Sequence, residues 1–222
     1  MGRIEFPPGR PVGSPPMQRI ELPPGAENPN RPDFYRDNLA SLGSADVNRR
    51  RFAALVLSRA QPKQLRNEIT KALESLLHDS DDMVRVYSVK AIGVWSTGDV
   101  VPIAIDALKD ADPMVRNSAI EILDQHKDSR AIEPLVAVLS DPSSTDAAQC
   151  LIHMGSTVEN AVLAHFDNGN TCAKRFIIEI LGAVATKKGI AKLRKIASDE
   201  SDYASSSEAK RALEERGEQG AD

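Results

Sequence analysis

A ten-residue phrase that returns after 31 residues constrains this chain more than any other feature. Leu76-Leu77-His78-Asp79-Ser80-Asp81-Asp82-Met83-Val84-Arg85 is followed by Ser88, Ala91, Ile92 and Gly93. Ala107-Leu108-Lys109-Asp110-Ala111-Asp112-Pro113-Met114-Val115-Arg116 is followed by Ala119, Ile122 and Leu123. Self-similarity at such a period signals a stack of like units, each too small to bury its own apolar face. Weaker copies lead on from Asp141, Asp167 and Asp199, so the aspartates from Asp79 onward step by 31, 31, 26 and 32 residues. Leu39 to Leu42, with Val47, Ala54 and Leu55, form a degraded first unit.

Within one unit the residues explain themselves. Val101, Ile105 and Leu108 share one face of a first helix. A polar turn follows, in which Asp112 can cap the next helix and Pro113 can take its first position, where a missing N–H costs nothing. Val115, Ala119, Ile122 and Leu123 then form the stripe of a second helix. Small residues in that stripe let neighbouring helices approach closely. Aromatic residues are only 4% of the chain, which suits closely stacked helices better than a β-sandwich. The expected fold is all-α: a right-handed α-solenoid of about five to six antiparallel helix pairs over residues 33–216, ending in a polar tail at 217–222.

Residues 1–32 are of another kind. Pro7, Pro8, Pro11, Pro15, Pro16, Pro23, Pro24, Pro29 and Pro32 stop helix from propagating, so a non-helical arm, extended or polyproline II-like, is expected. Arg3-Ile4-Glu5-Phe6-Pro7-Pro8-Gly9 recurs as Arg19-Ile20-Glu21-Leu22-Pro23-Pro24-Gly25. The duplication reads either as drift in a low-complexity arm that can pack on its own solenoid, or as two linked binding motifs. In the second case Phe6 and Leu22 are the apolar anchors, and linkage raises avidity without new contacts.

The phrase Asp-x-x-x-x-Val-Arg-x-x-Ala, carried by Asp79/Val84/Arg85/Ser88 and Asp110/Val115/Arg116/Ala119, resembles the HEAT-like repeats named after phycobilisome lyases. The resemblance covers roughly residues 38–216. It implies a curved solenoid whose second helices line a concave, partner-facing side. It also implies that Arg85 and Arg116 support the turns between repeats by pairing with nearby aspartates. No lyase-specific motif accompanies it.

Chemistry is sparse in the sequence. There is no phosphate-binding Gly-rich loop, Gly-x-Ser-x-Gly elbow or His-Glu-x-x-His helix. Cys150-x-x-His153 sets a thiol and an imidazole on one helix face, but paired ligand spacing is missing, so no metal site and no cofactor are expected. Cys150 and Cys172 read as buried free thiols of a reducing compartment. His78, His126 and His165 fall near helix ends, where a cationic ring suits the dipole. Asp79, Asp81, Asp82, Asp110 and Asp112 recur with the period, which marks them as caps rather than catalytic carboxylates.

The net charge is -4, but residues 1–70 hold 11 basic against 7 acidic side chains, while 71–222 hold 17 against 25. The basic end centres on Arg49, Arg50 and Arg51, with Arg59, Lys63 and Arg66. It reads as a solvated cap or as an electrostatic site for nucleic acid or an acidic partner. Arg85, Tyr87 and Lys90 can extend that patch along the next second helix, and Trp95, expected just past that helix, is a core plug or an exposed anchor. No signal peptide, membrane span or myristoylation site is visible, which makes the cytoplasm the expected location. The expected function is a non-catalytic scaffold that holds another protein, with the arm as a second binding element. Nucleic-acid binding at the basic end and a lyase-like enzyme subunit are the alternatives.

Overall fold

The computed structural model describes residues 27–141 and 143–217, and these form twelve α-helices with no strand among them. The arm to residue 26, with both motif copies and therefore Phe6 and Leu22, lies outside the described residues, as do residues 218–222 of the tail. The helices are α1 (Phe34–Leu42), α2 (Val47–Arg59), α3 (Arg66–Ser75), α4 (Asp82–Trp95), α5 (Val101–Ala107) and α6 (Pro113–His126). They continue as α7 (Ile132–Ala137), α8 (Ser144–His153), α9 (Glu159–Phe166), α10 (Thr171–Val184), α11 (Lys187–Ala197) and α12 (Tyr203–Glu215). Odd-numbered helices are the first members of six pairs and even-numbered helices the second.

Each second helix packs on the next, α2 on α4 and so on to α12, and each first helix packs on its own partner. One apolar cluster therefore runs without a break from Phe34 to Leu213. Small residues set how closely the second helices approach. A Cβ on Gly93 of α4 would lie 3.1 Å from Ile122 Cγ1 of α6, and one on Gly182 of α10 would lie 3.1 Å from Ala212 Cβ of α12. The first of the weaker sequence copies, which leads on to Asp141, is irregular. Its first helix, α7, is six residues long and is flanked by 3-10 turns at Ser129–Ala131 and Val138–Ser140.

In the two strong copies the second aspartate of the turn caps the following helix. Asp112 accepts from Met114 N and Val115 N, with Pro113 beginning α6, and Asp81 accepts from Val84 N at the start of α4. Asp46, Asn170 and Asp202 cap α2, α10 and α12 in the same way. Each supplies an acceptor to N–H groups that have no partner within the helix.

Trp95 is the last residue of α4 rather than the first beyond it, and it is fully buried. Its indole N–H donates to Leu57 O at 2.8 Å, and its ring meets Tyr35 edge-on at 5.8 Å. The Tyr35 hydroxyl in turn donates to Gln61 O at 2.9 Å. One aromatic pair thus ties α1, α2 and α4 together at the end of the stack. Trp95 is a core plug and presents no surface for a partner.

Candidate functional site

The turns between the two helices of a pair are held by a ladder of arginines. Arg50 of α2 forks onto Asp79, with Nε 2.7 Å from Oδ2 and Nη2 3.0 Å from Oδ1. Arg51 forks onto Asp81 in the same manner. Arg85 of α4 forks onto Asp110 with both distances 2.8 Å, and its Nη1 donates to Asp79 O at 3.0 Å. Each fork reaches forward to the turn of the next pair. Two parallel charge-assisted bonds fix direction as well as distance, which suits a joint between stacked units. Arg116 departs from the pattern: it is buried, and its Nη1 donates to Asp110 O and Ala111 O.

The two aspartates of a turn therefore divide the work. Asp79 and Asp110, expected as helix caps, instead receive the arginine forks and also accept the backbone N–H of Asp81 and Asp112. The second aspartate is the cap. Burial by itself raises the Asp110 carboxyl, but the Arg85 fork and the Asp112 N–H outweigh it and hold it below the usual carboxylate range. Asp81 is held low against burial by Arg51 and Val84 N.

An open face lies on the second helices. Lys90 and Val94 of α4, Met114 and Glu121 of α6, Gln149 and His153 of α8, and Arg175 and Glu179 of α10 are solvent-facing at helical spacing. Met114 is 47% exposed, unusual for a side chain of its kind in a stack whose other large apolar groups are mostly covered. Bonds across neighbouring helices make this face continuous. Lys90 Nζ lies 3.0 Å from Glu121 Oε2, and His153 Nδ1 lies 2.8 Å from Asp124 Oδ1 with Gln149 Nε2 2.9 Å from its other nitrogen. A shallow cleft of about 240 Å³ between α6 and α8 is lined by Asn117, Glu121, Asp124, Asp146 and Gln149. A second cleft of about 440 Å³, lined by Leu77, Pro102, Ile103 and Ala107, opens on the first-helix side.

The residues singled out in the sequence are dispersed. Arg49 is exposed, and Lys90 sits on the second-helix face. Arg50 and Arg85 are bound in the turn ladder, Tyr87 and Trp95 are buried, and Phe6 and Leu22 lie outside the described residues. The basic end is only partly open, with Arg49, Arg59 and Lys63 exposed. Arg50 and Arg51 are forked onto carboxylates, and Arg66 donates to Trp95 O and Ser96 O at 2.6 and 3.0 Å, closing the C-terminus of α4.

One further expectation is corrected. Cys172, in the first turn of α10, is exposed rather than buried. As expected, the Cys150 thiol is buried, and burial pushes it up to about 12, while the His153 imidazole is partly exposed. Among the described residues no group of three His, Cys, Asp or Glu side chains is gathered closely enough to hold a metal ion, and no helix is long and apolar enough to cross a membrane. The sequence did not single out Met114, Glu121, Asp124 or Gln149. Their signal was there, as polar or exposed positions recurring between the apolar stripes.

No curated protein matches the chain. An engineered protein solved by a structural genomics consortium is 19% identical, covers 80% of this chain and 94% of its own, and superposes with a TM-score of 0.46. A designed armadillo repeat protein is 17% identical over 80% of this chain and 98% of its own, also with a TM-score of 0.46. Residues 69–154 match the family model described as HEAT repeats. That span runs from α3 to just past the end of α8 and includes both strong copies of the sequence phrase, and the fold of the described residues is an all-α stack of helix pairs.

Proposed function

We propose that this protein is a non-catalytic scaffold that binds another protein across the exposed face of its second helices, the concave side of a HEAT-type solenoid. The observation that carries this reading is the continuity of that face from α4 to α8 through the Lys90–Glu121 and Asp124–His153 bonds, with Met114 exposed amid charged and amide side chains. A partly apolar centre with a polar rim is what a protein interface needs. The lyase-named HEAT-like repeats remain the nearest description of the Asp/Val-Arg phrase, and they support a holding role because no unique constellation of reactive groups interrupts the period. We place the protein in the cytoplasm and give the arm, through Phe6 and Leu22, a second binding role. Nucleic-acid binding at the basic end has less to rest on, since Arg50, Arg51 and Arg66 are engaged within the fold.

The test is affinity capture from the source cell with the full chain and with a Met114→Glu/Gln149→Lys variant of unchanged helical ellipticity. The expected outcome is a protein captured by the first and lost from the second. Identical captured sets would overturn the assignment of this face. A Phe6→Ala/Leu22→Ala chain examined alongside is expected to lose a different protein, and an unchanged set from it would remove the arm's role.

A further inference from the structure

The first-helix layer carries a surface of its own. Helix α11 holds Lys187, Lys188, Lys192, Arg194 and Lys195 and no carboxylate, in 11 residues. Its apolar side is committed inward, with Gly189, Leu193 and Ile196 buried where it packs on α9, α10 and α12. At about 100° per residue all five cations fall within an arc of about 160° on the outward side, and small Ala191 lies near its middle. Lys188 bonds only to a neutral amide, Asn160 Oδ1, at 2.7 Å. Lys187 and Lys195 are exposed and make no side-chain bond, whereas Lys192 is paired with Asp167 at 2.9 Å. Removing these five cations from a chain of net charge -4 leaves -9, so the patch is a local reversal of sign on an acidic molecule.

We infer that the outward arc of α11 is a docking surface for a short acidic segment of a partner protein, separate from the second-helix face. Size favours this occupant. The helix is about 16 Å long, which an extended segment of about five residues spans. The patch is bounded at its C-terminal end by exposed Asp199 and Glu200. A nucleic-acid duplex carries a charge about every 1.7 Å along its axis and would run past that boundary onto carboxylates. A membrane surface would gain no apolar insertion, because the apolar face of α11 is already buried. Ala191 leaves room for a peptide backbone between flanking lysines, whose long flexible side chains can reach carboxylates on either side of it.

The experiment uses the full chain and fluorescein-labelled hexaglutamate, read by anisotropy at low and at physiological salt. Binding that weakens with salt is expected, and Lys187→Ser/Lys188→Ser/Lys195→Ser should weaken it about tenfold. Lys63→Ser/Lys71→Ser/Lys109→Ser, an equal change of charge elsewhere, should leave it nearly unchanged. If the first triple variant loses helical ellipticity, Lys187→Ser/Lys195→Ser gives the same comparison, since neither side chain is bonded. No binding at low salt, or equal losses in both triples, overturns the inference. A short DNA duplex or phosphatidylserine vesicles binding more tightly than the peptide through the same lysines also overturns it and reassigns α11 to a phosphate-bearing surface.

Discussion

Arg85 and Arg49 show how one residue type takes two roles. Both are arginines on second helices, yet Arg85 is largely covered and forked onto Asp110, while Arg49 faces water. Removing one partner of a part-buried fork leaves the other desolvated, which costs more than losing a surface pair. Arg85→Gln is therefore expected to lower stability by about 1–2 kcal/mol and Arg49→Gln by less than about 0.5 kcal/mol, measured by urea denaturation. The pair also carries a pH signature. Folding holds the Asp110 carboxyl below its unfolded value, so its contribution is complete above about pH 4 and fades as pH falls through the lower folded value. Between about pH 4 and 2 the wild-type chain should thus lose stability more steeply than Arg85→Gln. Parallel profiles would show that the fork does not set the Asp110 shift.

At the scale of elements, what holds a helix in place often sits on a neighbour 25 to 38 residues away. Glu159, buried on α9, accepts from Thr186 Oγ1 at 2.6 Å and from Gly189 N, and so serves the first turn of α11 from the preceding pair. Gly189 is required there by space. A Cβ would lie 2.5 Å from Glu159 Oε1 and 2.6 Å from Ala185 Cβ. Gly189→Ala is expected to cost about 1–3 kcal/mol through overpacking and loss of the buried carboxylate's partner. Gly43→Ala is the matched control: its Cβ meets nothing closer than 3.7 Å at a φ of -86°, so it should be neutral or slightly stabilising by reducing unfolded-state freedom. Thermal melts of the two variants decide the point, and a neutral Gly189→Ala would show that α11 can shift outward at little cost.

For the whole molecule the question is whether six pairs behave as one unit. Repeat arrays are stabilised by neighbour contacts and can open from an end. Here a single apolar cluster spans all pairs, and forks or buried aromatic contacts cross several of the joints. Trp95, the only tryptophan, reports on the first two pairs, whereas helical ellipticity reports on all six. The two signals are expected to share one midpoint in urea, with a red shift of Trp95 emission on unfolding. A separated fluorescence transition would mean that the α1–α4 end opens independently.

The sequence alone determined the period and the pairing of helices. Those follow from spacing along one chain, since an apolar stripe and an Asp-Pro turn specify a helix and its start without reference to any neighbour. The family resemblance foretold that Arg85 pairs with a turn aspartate, whereas Arg116, expected to do the same, binds backbone carbonyls of the turn. Only the tertiary structure decided that Arg85 reaches forward to Asp110, that Asp79 and Asp110 are acceptors rather than caps, and that Trp95 is sealed against Leu57 while Met114 is open to solvent. The physical reason is register. A helix fixes which side chains share a face, but the rise and rotation from one pair to the next fix what that face meets. A basic run near residue 50 was therefore legible as charge, whereas its consumption by carboxylates about 30 residues away was not.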